Sequence, residues 1–378
     1  MMKNSNMLRM LFLYRGWNSG TNQAVLKAWQ SELPELNIIA CNVCPLSQKL
    51  LGRKLAALPH AVRRGGVGVF SLGTGNFTDA VKRSTWYMKE VKKEVHRIQR
   101  QDDYDFSLSM STVLPVINPQ RPNFIYTDLT ILANCYYPEG QDWIKLWEEY
   151  LPYERETINS AAAVFTMSDH VSTSLREQYG LSAAKVHRVN GGCNAPLTSD
   201  PDPLRFQQQR ILFIGVDWER KGGPELVKAF QIIQKSYPSA TLTIVGCRPC
   251  LPGVRNINIV GPVPQDAIPH YLEQATVFCM PSKREPFGIV FLEAMQAGLP
   301  VIASRFGAAP DFIIDGETGY KVDPFNIDQL ARCIETVIGN PERSKEMGEN
   351  GAALVRAKYT WKHTQNEMWH IIKNHLQV

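Results

Sequence analysis

Two glutamates eight positions apart, Glu285 and Glu293, bracket the run PFG in the segment PSKREPFGIVFLEAMQAG at 281–298. The pattern predicts a strand ending at Pro281, a short loop, and a helix starting near Gly288. Pro286 confines Glu285 to an extended conformation, and Gly288 lets the backbone approach a ligand closely. The first amides of a helix lack intrahelical acceptors and, with the helix dipole, make an anion site. Phe287, Gly288, Ile289 and Val290 therefore offer N–H groups suited to a diphosphate. Glu285 stands just before that cradle, where it reads either as a site group or as a surface loop acid. Glu293 lies inside an otherwise apolar helix. A carboxylate there either closes a structural network or holds a polyol such as a ribose.

A second segment, RILFIGVDWERKGG at 210–223, predicts a strand ending at Gly215, a loop carrying Arg220 and Lys221, and a helix from about Pro224. Adjacent cations at a strand's carboxyl end suit a phosphate leaving group. The other reading is a solvated basic loop.

The elements that position these segments follow from the hydropathy pattern. Short apolar runs alternate with helical stretches nearly throughout. In the first half strands are expected at Leu8–Tyr14, Asn37–Val43, Val67–Leu72, Asp105–Ser109, Phe124–Thr127, Ala163–Met167 and Lys185–Val189. In the second half they are expected at Arg210–Gly215, Thr241–Gly246, Ile257–Val260, Val277–Pro281, Pro300–Ser304 and Tyr320–Val322. Continuous rather than alternating apolar runs imply strands covered on both faces, hence parallel sheets flanked by helices. The stretch NAPLTSDPDPLRFQQQ at 194–209 breaks this rhythm and reads as a linker. The expected division is a Rossmann-like domain over 1–195, a linker over 196–207, a second Rossmann-like domain over 208–360, and a terminal helix over 361–378.

Composition narrows the class. Hydrophobic residues make up 44% and charged ones 20%, which places the chain among globular proteins and excludes a disordered or collagen-like one. No uninterrupted apolar run is long enough to span a membrane, and no secretory leader is expected, since Leu11–Tyr14 is too short. Reduced thiols in a cytoplasmic setting follow for the eight cysteines. The CxxC pairs Cys41/Cys44 and Cys247/Cys250 fall in different domains, so no zinc site is expected. Between Lys49 and Arg100 twelve basic residues face three acidic ones, leaving the rest of the chain net acidic. Within that window KRSTWYMKEVKKEVHRIQR at 82–100 predicts a helix with Trp86, Met88, Val91, Val95 and Ile98 on one side and cations on much of the rest. Such a helix either lies on an anionic membrane or packs on a sheet with a solvated face. No nucleic-acid motif accompanies it.

The run from RKGG through LTIVG and PSKREPFGIVFLEAMQAGLPVIAS to DGETGYKVDP resembles family 4 of the retaining GT-B glycosyltransferases, whose signature is E-x7-E. Ser168 in FTMSDH and the run KVHRVNGGCN at 185–194 fit the same pattern. The likeness is strong from about 210 to 325 and weak before 160. It implies an α/β fold of two Rossmann-like domains facing across a cleft, with the C-terminal helix crossing back to the N-terminal domain. It also implies a hexosyltransferase that moves sugar from a nucleoside diphosphate, UDP first and GDP second, to a hydroxyl of a lipid, glycan or metabolite. By that resemblance Glu293 holds the ribose, and Arg220 and Lys221 neutralise the diphosphate together with the amides of 287–290. Glu285 orients the sugar, and Gly20 approaches the donor from the N-terminal domain, as Gly215 does from the strand end. Retention by a front-face reaction without metal or cofactor is implied, in a cytoplasmic enzyme, soluble or peripheral at the membrane.

Three positions depart from the family pattern. Val216 stands where many members carry arginine. Thr127, followed by Asp128, replaces a histidine of the N-terminal domain. Gly307-Ala308 and Asp311 stand for a glycine pair and a glutamate. His170 either contacts a phosphate or caps its helix. A nucleotide-sugar epimerase, a phosphorylase and a non-catalytic scaffold of the same fold are the alternatives.

Overall fold

The computed structural model describes residues 7–16, 20–43, 84–116, 118–195 and 202–378. The expected strand Val67–Leu72 and most of the basic window, including Lys82 and Arg83, lie outside the described residues, as does Cys44. The chain divides into two compact units. The first comprises residues up to Cys135, Glu139–Val189 and Gln365–Val378, and the second Tyr136–Pro138 and Asn190–Thr364.

In the first unit the strands are β1 (Arg9–Tyr14), β2 (Asn37–Asn42), β3 (Phe106–Ser109), β4 (Asn123–Thr127), β5 (Ala163–Thr166) and β6 (Val186–Arg188). They pair in parallel in the order β2-β1-β3-β4-β5-β6. The helices between them are α1 (Thr21–Glu32), α2 (Thr85–Gln101), α3 (Gly140–Trp147), α4 (Leu151–Ser160) and α5 (Asp169–Glu177). Met10, Leu11, Phe12 and Leu13 of β1 are all fully buried, which is what an uninterrupted apolar run requires of a strand covered on both faces.

The second unit repeats the plan with β7 (Arg210–Ile214), β8 (Thr241–Val245), β9 (Ile257–Gly261), β10 (Val277–Met280), β11 (Val301–Ser304) and β12 (Gly319–Val322). The order is β12-β11-β10-β7-β8-β9, again parallel. Its helices are α6 (Gly223–Ser236), α7 (Ile268–Gln274), α8 (Ile289–Gln296), α9 (Ile327–Ile338) and α10 (Pro341–Lys358). The last helix, α11 (Trp361–Leu376), begins in this unit and ends in the first. There Trp369 meets Trp29 edge-on at 6.0 Å and lies 6.2 Å from Phe106.

Of the two readings of the basic helix, the structure shows the one packed on the sheet. The apolar side of α2 is not available to a bilayer. Tyr87, Met88, Val91, Val95 and Ile98 are buried against Leu11, Leu13, Tyr104, Leu114 and Tyr150, with Trp86 only half-buried at the margin. The outward cations are partly neutralised, Lys93 by Glu90 and Arg97 by Glu94 at 2.7 Å each, and Lys92 by Glu156 at 2.8 Å. The helix starts at Thr85, where the Ser84 hydroxyl accepts from the Tyr87 amide at 3.3 Å. The latter half of the linker expected over 196–207 contains a short turn. Pro203–Gln207 forms a 3-10 turn, and the nearly buried Arg205 donates to the carbonyls of Ala297 and Gly298 at 2.7 Å each. Residues 196–201 lie outside the described residues. No helix among the described residues is long and apolar enough to cross a membrane.

Candidate active site

β7 and β10 are neighbours at the centre of the second sheet although β8 and β9 separate them in sequence. The chain leaves β7 to one side and returns to build β10 on the other. Where consecutive connections diverge in this way, a crevice opens beyond the carboxyl ends of the strands. The loops that follow β7 and β10 are the two segments with candidate chemistry.

Those loops are tied to each other. The Lys283 amide donates to the Arg220 carbonyl at 2.9 Å, and Arg220 Nη1 donates to the Arg284 carbonyl at 2.7 Å. Lys283 pairs with Glu225 of α6 at 3.0 Å. Gly222, at φ 76°, permits the approach, since a side chain there would run into the Pro281 carbonyl. The result brings three of the expected residues together. The Glu285 carboxylate is ion-paired to Lys221, with Arg220 Nη1 at 3.7 Å. Arg220 is further held by Asp217, Nε to Oδ2 at 3.0 Å. The side chains of Glu285 and Lys221 are only 13% and 14% exposed, so the pair is shielded from bulk water while its edge remains reachable.

Gly288 begins α8 at φ 80°, and no side chain caps the helix, which leaves its first amides for an outside acceptor. Ile289 and Val290 are half-buried there, whereas the Phe287 ring is anchored in the core, edge-on to Phe312 at 6.0 Å. The Glu293 carboxylate, in the second turn, makes no hydrogen bond or ion pair with any described residue, while the backbone carbonyl accepts from the Ala297 amide at 3.0 Å. Burial pushes its carboxyl up to about 7. Beside it the Cys193 thiol is pushed up to about 12, by burial first and by the Glu293 charge in addition.

Gly215 follows β7 directly. Its amide donates to the Val245 carbonyl at 2.9 Å, and a side chain there would press on Lys221 and Phe213. Val216 is 82% exposed and contributes no charge at this edge. Gly20, at φ 70°, begins α1 in the first unit. Ser168, not His170, caps α5, by accepting from the Val171 amide at 3.4 Å. Burial lowers His170 to about 4, so it is neutral at pH 7 and no cation for a phosphate. Thr127 turns its hydroxyl to the Leu129 carbonyl at 2.8 Å, and Asp128 is exposed.

Glu285 has two further supports, the first of which sequence reasoning missed. The Tyr137 hydroxyl donates to the Glu285 carbonyl at 3.0 Å, and Gly307, at φ 71°, leaves room for that contact. Tyr137 belongs to the second unit although the chain around it belongs to the first. No local pattern marks it. Gly307 was visible only as part of a family pattern. Asp311, in the same loop, receives the Tyr359 hydroxyl on its backbone carbonyl at 2.9 Å. Among the described residues no group of three potential metal ligands occurs, and Cys247 and Cys250 are free thiols.

Known proteins resemble this chain in sequence and in fold. Residues 199–354 match the family model "Glycosyl transferases group 1". A segment of 229 residues is 27% identical to a GDP-mannose-dependent alpha-(1-6)-phosphatidylinositol monomannoside mannosyltransferase of Mycolicibacterium smegmatis. That segment is 54% of this chain, and the match spans 60% of the relative's length. The fold is that of the sucrose-phosphate synthase from Thermosynechococcus elongatus, with a TM-score of 0.70 over 98% of this chain and 99% of that one at 18% identity. It is also that of Anabaena HepE in complex with UDP and glucose, with a TM-score of 0.65 over 97% and 100% of the two chains at 16% identity. Two parallel six-stranded sheets with flanking helices are thus the GT-B fold, and the family and relative matches support a glycosyltransferase.

Proposed function

We propose that the protein is a retaining glycosyltransferase of family 4 that moves a hexose from a nucleoside diphosphate sugar to an acceptor hydroxyl. The observation that carries this reading is the Arg220–Lys221–Glu285 cluster at the β7/β10 switch point, next to the uncapped start of α8 and the unpartnered Glu293. The diphosphate lies against Arg220, Lys221 and the amides of Phe287 to Val290. Glu293 accepts from the ribose hydroxyls, which supply the partners it lacks. As the diphosphate draws Lys221 and Arg220 to itself, Glu285 is released to accept from hydroxyls of the transferred sugar.

In the reaction the bond from the anomeric carbon to the β-phosphate oxygen breaks, and the acceptor oxygen bonds to that carbon on the same face. The acceptor's proton passes to the departing phosphate. Negative charge grows on the phosphate in the transition state, where fixed cations and amides stabilise it most. Two protein cations supply the charge that a metal provides elsewhere, so no metal is needed. UDP and GDP are the first donors to try, in that order. The GDP-mannose-dependent name of a relative keeps the second in view. By charge alone, the exposed Lys89 and Arg100 of α2 suit an anionic membrane surface carrying a lipid acceptor.

Calorimetry with UDP, GDP and ADP, followed by acceptorless hydrolysis of their sugars, tests the reading. Lys221→Ala weakens diphosphate binding by about tenfold or more, as loss of a charge-assisted contact does. Glu285→Gln retains that binding and lowers turnover by about 10²–10³-fold. If the wild-type protein binds no nucleoside diphosphate and turns over no donor, the reading is wrong.

A further inference from the structure

The first unit has a switch point of its own. β1 and β3 are neighbours, while β2, which lies between them in sequence, is on the other side of β1. The residue that follows β1 at its carboxyl end is Arg15. Its guanidinium lies 5.5 Å from the centre of the Tyr87 ring, in front of the α2 layer. It also lies beside the hydroxyl of Tyr150, a residue 1% exposed that precedes α4. The two side chains approach each other, but the contact falls short of full hydrogen-bond geometry. Arg15 Nη1 and Tyr150 Oη are both buried without a partner. Arg15 forms no ion pair with any described residue. Glu154, four residues past Tyr150, is engaged elsewhere, with the Tyr179 hydroxyl, the Thr112 hydroxyl and the Ile131 amide.

A half-buried guanidinium with no carboxylate partner among the described residues is costly to a protein that gains nothing from it. Two adjacent orphan groups, one cationic donor and one hydroxyl, match a single oxyanion with lone pairs toward both. They stand where a ligand enters a doubly wound sheet.

We propose that Arg15 and Tyr150 form an oxyanion site in the first unit, which receives a phosphate or carboxylate group of the acceptor. The assignment to the acceptor rests on the proposed function. In that reading the donor's diphosphate is matched by Arg220 and Lys221 of the second unit, and a further cationic site calls for a further anion.

The test measures binding of inorganic phosphate and of succinate at constant ionic strength, to protein saturated with whichever nucleoside diphosphate binds. The variants are Arg15→Gln, Tyr150→Phe and Arg220→Gln. The expected result is binding of one probe that falls about tenfold or more in Arg15→Gln. It falls less in Tyr150→Phe and is unchanged in Arg220→Gln. The probe that binds identifies the anion. Arg15→Gln also folds at least as stably as the wild type, because it removes a charge that no described carboxylate compensates; a purely structural arginine would leave the variant destabilised. If Arg15→Gln does not fold, the proposal is overturned unless Tyr150→Phe still weakens the probe. Binding of neither probe, or equal binding by wild type and Arg15→Gln, overturns the site. Loss of nucleoside diphosphate binding in Arg15→Gln assigns the anion to the donor and overturns the acceptor. If no nucleoside diphosphate binds at all, the donor reading fails, while the probe arms, run without it, still decide for or against the oxyanion site.

Discussion

The Glu293 carboxylate has no partner among the described residues, and burial alone raises it. An ordinary glutamate, at 4.5, is ionised in the unfolded chain at neutral pH, whereas burial keeps the folded carboxyl protonated up to about 7. The folded state binds the extra proton between those values. Its contribution to stability is therefore complete below pH 4.5 and is lost as pH rises to 7, with no further change above. The span corresponds to about 3 kcal/mol. Glu293→Gln removes this dependence. Denaturant melts of variant and wild type at pH 4 and pH 8 should diverge, with the variant gaining about 3 kcal/mol on the wild type at the higher pH. Parallel pH profiles would show that the carboxyl titrates normally. A nucleoside diphosphate whose ribose donates to Glu293 favours its ionised form. Binding near pH 6.5 then releases a proton in the wild type and not in Glu293→Gln.

At the scale of elements, the site depends on two loops whose close approach the absence of a side chain at Gly222 permits. Gly222→Ala forces a left-handed alanine, at about 1–2 kcal/mol, and drives its Cβ at the Pro281 carbonyl. The loop after β7 must move, and with it Lys221. The expected outcome is a melting temperature several degrees lower together with weaker diphosphate binding. A variant as stable and as tight as the wild type would mean that the two loops do not depend on each other. The strand–loop–helix order around 210–223 and 281–298 was legible because each piece is local: an apolar run, a glycine or proline, then a helix. Tyr137 was not, because its partner lies 148 residues away and a backbone carbonyl accepts from any hydroxyl. Arg15 and Tyr150 were invisible for the same reason. The amphipathic period of α2 was read correctly, but a period specifies that a helix has an apolar face and not what covers it. The sheet covers it. In the linker, prolines and polar residues masked Arg205, whose two carbonyl contacts only the folded backbone creates.

At the scale of the whole molecule, the chain forms two compact units, and α11 belongs to both. Trp361 is fixed in the second, its indole N–H donating to Asn194 Oδ1 at 2.9 Å, while Met368 and Ile372 are fully buried in the first. A ligand stabilises the unit that binds it, by about 2.7 kcal/mol at a hundredfold excess over its dissociation constant. Hydrogen exchange with saturating nucleoside diphosphate should therefore slow amides of β7, β10 and α8 that open with the second unit. Those of β1, β3 and α1 should be unaffected. Within α11 the protection should change between Thr364 and Gln365, where the division falls. Uniform protection of both sheets would mean that they open as one cooperative body, and the assignment of the diphosphate to the second unit would then need Lys221→Ala rather than exchange to establish it.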